Sequence, residues 1–201
     1  MDRRRLIVSG LALALPGAAA AQDYPTGGES APEGGPRDGP AETFSSEELV
    51  HRVSDFMGVT AETVGAIIEK SLKDNGRPTG YIAGTEVAAS VIAGLRYGRG
   101  ELYMKGRRAQ KIYWQGPSVG WDFGGNGSRV FTLCYNLQYP DAIYQRFPGV
   151  DGSAYFIGGI GMNYQRANGI TLAPIRAGVG LRLGASIGYL AYTRHQNILP
   201  L

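Results

Sequence analysis

From Tyr81 onward the chain alternates large apolar residues with small or polar ones, and glycine sits inside the alternation rather than at its ends. The segment from Ile175 shows this most plainly. Ile175, Val179, Leu181 and Leu183 share one face, while Gly178, Gly180 and Gly184 share the other with Arg176 and Arg182. Glycine within a strand weakens it unless sharp curvature or close backbone approach is needed. A small barrel uses that freedom and also removes its edges. The predicted fold is mainly β: a small closed or nearly closed antiparallel barrel of about eight strands, preceded by two α-helices.

Residues 45–75 carry the helices. Ser45 with Glu48 fits a capping box, and Leu49, Val50, Val53, Phe56 and Met57 fall on one helical face before Gly58 stops it. Thr60 opens a second helix with Val64, Ile67, Ile68 and Leu72 at helical spacing and a Glu69–Lys73 pair on its exposed side; Asn75-Gly76 and Pro78 end it. Strands then follow. Val91, Ala93, Leu95 and Tyr97 alternate, and Gly98-Arg99-Gly100 reads as a turn into Glu101–Lys105. Val119, Trp121 and Phe123 alternate up to Asn126-Gly127, a hairpin signal, whose returning strand Val130–Tyr135 is apolar on both faces and so buried. Asp141–Phe147 reads as one helical turn. Three more strands are expected near residues 154–165, 170–183 and 186–193, with Asn168-Gly169 as the first turn between them.

The N-terminus is of another kind. Arg3, Arg4 and Arg5 precede a short apolar run, Leu6–Leu15, and small residues Ala18–Ala21, the three parts of a cleavable export signal over residues 1–21. The apolar run is well short of the ~20 residues that cross a bilayer as a helix. The arginines leave both the general and the twin-arginine export routes open. Residues 22–44, rich in Gly, Pro, Ser and acids, read as a disordered linker, and residues 45–201 as one domain. Removing the signal lowers the formal charge from +3 to about +1, which takes away any simple electrostatic case for nucleic acid. The single cysteine, Cys134, cannot staple the fold and suits a buried apolar position. The expected compartment is the periplasm.

Several motifs suggest chemistry. Gly116-Pro117-Ser118-Val119-Gly120 matches the nucleophile-elbow pattern, with His195 as base and Asp151 or Asp141 as third member of a hydrolase triad; an elbow needs a strand, a sharp turn and a helix, whereas here period two continues past Ser118. His51 falls opposite the apolar face of its helix. Gly124–Ser128 lacks the lysine and following helix of a phosphate loop. No metal-ligand spacing is present, and no cofactor is expected. Asp122 faces Arg129 across Asn126-Gly127 and is read as its ion-pair partner. Tyr113, Trp114 and Trp121, with Asp122 and Arg129, are the candidate ligand contacts, since Tyr and Trp suit boundaries between wet and apolar surroundings.

The stretch from Gly116 to Leu137, the helix Thr60–Asp74 and the ending Arg176–Leu190 together resemble the envelope integrity protein A family of alphaproteobacterial domains of unknown function. The resemblance covers residues 45–194. A shorter likeness, carried by Gly116-Pro117-Ser118 and the glycine-rich strands, is to lipid-binding SYLF domains. The first resemblance implies a periplasmic protein with a small β-barrel that supports envelope integrity; the export signal, the glycine-faced strands and the aromatic content add the expectation of a non-enzymatic role with an envelope lipid or envelope protein as partner. It brings no catalytic residues. An integral outer-membrane barrel is disfavoured because membrane strands need ~9–11 residues with an apolar outer band.

Overall fold

The computed structural model describes residues 39–89, 93–119, 127–177 and 188–196. Helix α1 spans Ser46–Met57, and its predicted capping box is formed: the Glu48 N–H donates to Ser45 Oγ (3.2 Å) and the Ser45 N–H to Glu48 Oε2 (2.9 Å). Gly58 closes the helix in the left-handed region at φ +69°, where a Cβ would be strained. Helix α2, Ala61–Asn75, starts on a Thr60 cap. Its ion pair among the described residues is Lys70–Asp74 rather than Glu69–Lys73; the Tyr164 hydroxyl donates to the Asp74 carboxylate (2.8 Å) and fixes it there.

The expected linker needs correcting at its end. Phe44 is buried, its ring meets Tyr81 edge-on at 5.2 Å, and its N–H donates to the Pro78 carbonyl. The Ala41 N–H donates to Gln138 Oε1. One aromatic ring supplies the apolar area that the rest of that segment lacks, so docking begins near Ala41. Residues 1–38, and with them the expected export signal, lie outside the described residues.

Ten antiparallel strands follow among the described residues: β1 Gly80–Ala89, β2 Ala93–Met104, β3 Gln110–Val119, β4 Ser128–Tyr135, β5 Arg146–Pro148, β6 Tyr155–Ile157, β7 Ile160–Met162, β8 Gln165–Ala167, β9 Ile170–Ala177 and β10 Tyr189–Thr193. A 3-10 turn at Pro140–Ile143 precedes β5, close to the predicted helical turn. The order is β5-β10-β3-β2-β1-β4-β9-β7-β6, with β8 also on β9. Strands β1 to β4 thus form a Greek key, spatial order 4-1-2-3.

Three expectations change. The returning strand of the expected hairpin does not lie against β3: β4 lies between β1 and β9, while residues 120–126, and with them Asn126 of the expected turn, lie outside the described residues. Strand β2 runs straight through Gly98-Arg99-Gly100, with Gly100 opposite Gly84. The strand expected over 154–165 is two short pieces, β6 and β7, broken at Gly158-Gly159 by two positive φ values, and β8 begins only at Gln165. The Asn168-Gly169 turn between β8 and β9 is as predicted, with φ of +47° and +78°.

The sheet curls strongly into a half-barrel. Its curl is written at Gly84 and Gly100, where an added Cβ would fall 2.3 Å from the Arg99 carbonyl oxygen or 2.4 Å from that of Ala83. Between its ends, β5 and β8 meet at the isolated bridge Gly149↔Gln165; a continuous ladder closing the barrel is not seen among the described residues.

The curled sheet has a core on each face. On the convex side, Leu49, Val53, Val64, Ile67 and Ile68 of the helices pack on Tyr81, Phe131, Leu133, Tyr135, Ala173 and Ile175. On the concave side, Ile82, Leu102, Ile112, Trp114, Val130, Cys134, Phe147, Leu172, Leu190 and Tyr192 fill the interior. Alternate residues of β1, β4 and β9 serve the two cores in turn, which is why Val130–Tyr135 reads as apolar on both faces.

Candidate functional site

The concave core ends in charge. Strand β1 brings Glu86 inward beyond Gly84, β2 brings Arg96 beyond Gly98, and β9 ends its inward row on Arg176. Trp114 of β3 lies across the glycines of its neighbours: a Cβ on Gly98 would sit 1.9 Å from its indole, and one on Gly84 2.8 Å from it. Only glycine leaves room for the ring there. The indole Nε1–H donates to Glu86 Oε2 at 2.8 Å. Arg176 grips the same carboxylate with two bonds, Nε to Oε1 (3.0 Å) and Nη2 to Oε2 (3.2 Å), and its Nη1 donates to Asn163 Oδ1. Arg96 Nε lies 3.3 Å from Glu86 Oε1. All three charged side chains are buried.

Burial alone would raise the Glu86 pKa. The Arg176 and Arg96 charges, with the bonds from Arg176 and Trp114, outweigh it and hold the carboxyl below its ordinary range. A carboxylate kept ionised and bonded at both oxygens is a poor proton shuttle. The cluster ties β1, β2, β3 and β9 together at one end of the interior. Sequence reasoning placed Arg176 on a glycine-bearing face but missed Glu86 and Arg96. The available signal was a lone acid two residues beyond Gly84, an odd residue for an apolar strand.

The proposed hydrolase residues are not brought together. Strand β3 passes through Ser118, which pairs with Gly94, so the serine sits within a strand and not at the sharp turn an elbow needs. Thr193, two residues before His195, pairs with Tyr113, five positions from Ser118 along β3 and running away from it. At about 3.3 Å per residue the separation is on the order of 20 Å. His195 and Asp151 are exposed, and Asp141 is paired with Arg194 (2.8 Å). His51 is exposed, as its place on the helix predicts.

A model of the family described as envelope integrity protein A matches residues 42–201. The chain belongs to that family. Among solved structures, this envelope integrity family member is similar to a beta-barrel-like, uncharacterized protein from Brucella abortus. The two are 45% identical, with a TM-score of 0.73, over 79% of this chain and 99% of that one. No curated protein matches it.

The family member's other candidate residues are dispersed. Trp114 faces the interior, so a ligand would reach it only inside the curled sheet. Tyr113 points the other way and is half-buried. Arg129 is exposed and donates from Nη1 to the Phe56 carbonyl (3.0 Å), capping the end of α1. Trp121 and Asp122, and with them the expected Asp122–Arg129 pair, lie outside the described residues. Among those residues no group of three His, Cys, Asp or Glu side chains could hold a metal ion, and no helix is long and apolar enough to cross a membrane.

Proposed function

We propose that this protein is a non-enzymatic periplasmic component that supports cell-envelope integrity by binding a lipid or another envelope component at its surface. The observation that carries this reading is membership of the envelope integrity family over residues 42–201. Two features support it. Residues 1–21 have the pattern of an export signal, and the concave face, closed or half-closed, is occupied by its own side chains, which favours contact at the outside. Tyr113 and Arg129 are the candidate contacts with surface exposure.

The test is a deletion strain challenged with detergent and cell-wall antibiotics, then complemented. The intact gene and the Ser118→Ala gene should both restore resistance, and the protein should fractionate with the periplasm. An unchanged deletion strain would overturn the reading; failure of Ser118→Ala alone, with normal protein levels, would return weight to a hydrolase.

A further inference from the structure

One rim of the sheet is stitched from three connections. The α2–β1 link, the β2–β3 turn and the turn after β4 all leave the sheet at the end where Gly80 pairs with both Met104 and Cys134. The Thr79 N–H donates to the Cys134 carbonyl and the Leu137 N–H to Thr79 Oγ1 (2.9 Å). Arg107 Nη2 reaches the Gln138 carbonyl at 3.4 Å. These bonds bring together the segments that carry Arg77, Arg107, Arg108 and Tyr139.

Arg77 and Arg108 are exposed and Arg107 half-exposed. Tyr139 is 58% exposed, one of two large apolar side chains so exposed among the described residues. The nearby charges are mostly balanced: Asp141 pairs with Arg194 and Glu48 with Lys105. Glu42, and Glu47 beside Glu48, are two exposed acids set against three arginines, which leaves the rim a net positive charge. Cations next to an aromatic with a wet hydroxyl and an apolar ring match the chemistry of a lipid headgroup layer.

We propose that the rim formed by Arg77, Arg107, Arg108 and Tyr139 docks on an anionic lipid surface. This rests on the reading of the protein as an envelope component and names its partner. The guanidinium groups pair with lipid phosphates, and the Tyr139 ring enters the interfacial layer. Screening by salt weakens the attraction because Arg77 and Arg108 are exposed and Arg107 is partly so.

The full chain, purified as cells export it, is mixed with phosphatidylcholine vesicles with and without phosphatidylglycerol and sedimented. Binding is expected to the anionic vesicles and to fade as salt is raised. The Arg77→Glu/Arg108→Glu variant should lose at least about tenfold in partitioning, and Tyr139→Ser a smaller share. Lys111→Glu, an exposed base across the strand from Glu101, should bind as the parent does. Matching circular dichroism and thermal midpoints exclude misfolding. Equal binding to neutral and anionic vesicles, no binding to either, or a crosslinked protein partner lost in the double variant would each overturn the proposal. If that variant fully restores a deletion strain while the empty vector does not, the docking idea fails and the envelope role stands.

Discussion

At Glu86 a carboxylate that burial would neutralise stays ionised, because two guanidinium groups and an indole N–H surround it. Removing it by Glu86→Ala leaves two arginines buried without their acid and should cost about 3–5 kcal/mol of folding stability at neutral pH, measured by urea titration. The pH dependence has a definite sign. The folded value lies below the ordinary 4.5, so the stabilisation is fully present above that value and is lost as pH falls through the depressed one. Urea midpoints of the parent should therefore decline on that acid limb, and those of Glu86→Gln should start lower and decline less. An acid limb of equal slope in both proteins would contradict this.

Among the elements, β2 shows what glycine does here. Gly100 and Gly84 face each other so closely that a methyl group on either meets backbone, not a yielding side chain. Gly100→Ala is expected to destabilise by about 1–3 kcal/mol, the usual range for overpacking, seen as a lower urea midpoint with an unchanged far-ultraviolet spectrum. The same glycines explain where sequence reasoning succeeded and failed. Both helices were legible because their caps, Ser45 with Glu48 and Thr60, lie within a turn of what they cap. Barrel-like curvature was legible from glycine inside strands. Gly98-Arg99-Gly100 nevertheless read as a turn, since a bend across a strand and a reversal of the chain use the same residue. Strand neighbours were less legible still: the partner of β4 is fixed by Tyr81, Phe131 and Ile175 converging under the helices, a long-range fact with no local mark. The Glu86 cluster escaped notice for that reason too, its bonded residues Glu86 and Arg176 being 90 positions apart.

For the whole molecule, the two cores share strands β1, β4 and β9, and loosening either one exposes the other. Cys134 reports on this. It is fully buried in the concave core, and burial pushes its thiol well above the ordinary range, so neither access nor thiolate is available in the folded state. Iodoacetamide should leave it unmodified in native buffer and label it fully in denaturant, with intermediate labelling tracking the global unfolding curve. Labelling that runs ahead of that curve would show that the concave core opens on its own.

Sharing strands between two cores has a consequence for how the chain comes to be folded. Synthesis delivers the N-terminal part first, so α1 and α2 emerge with Leu49, Val53, Val64 and Ile67 uncovered. The surfaces they need, on β4 and β9, are among the last long strands to arrive. A nascent chain of this design carries two greasy helices without a seat for most of its elongation. The wait is imposed by the order of its own elements, and a holding factor that shields amphipathic helices would find its substrate there.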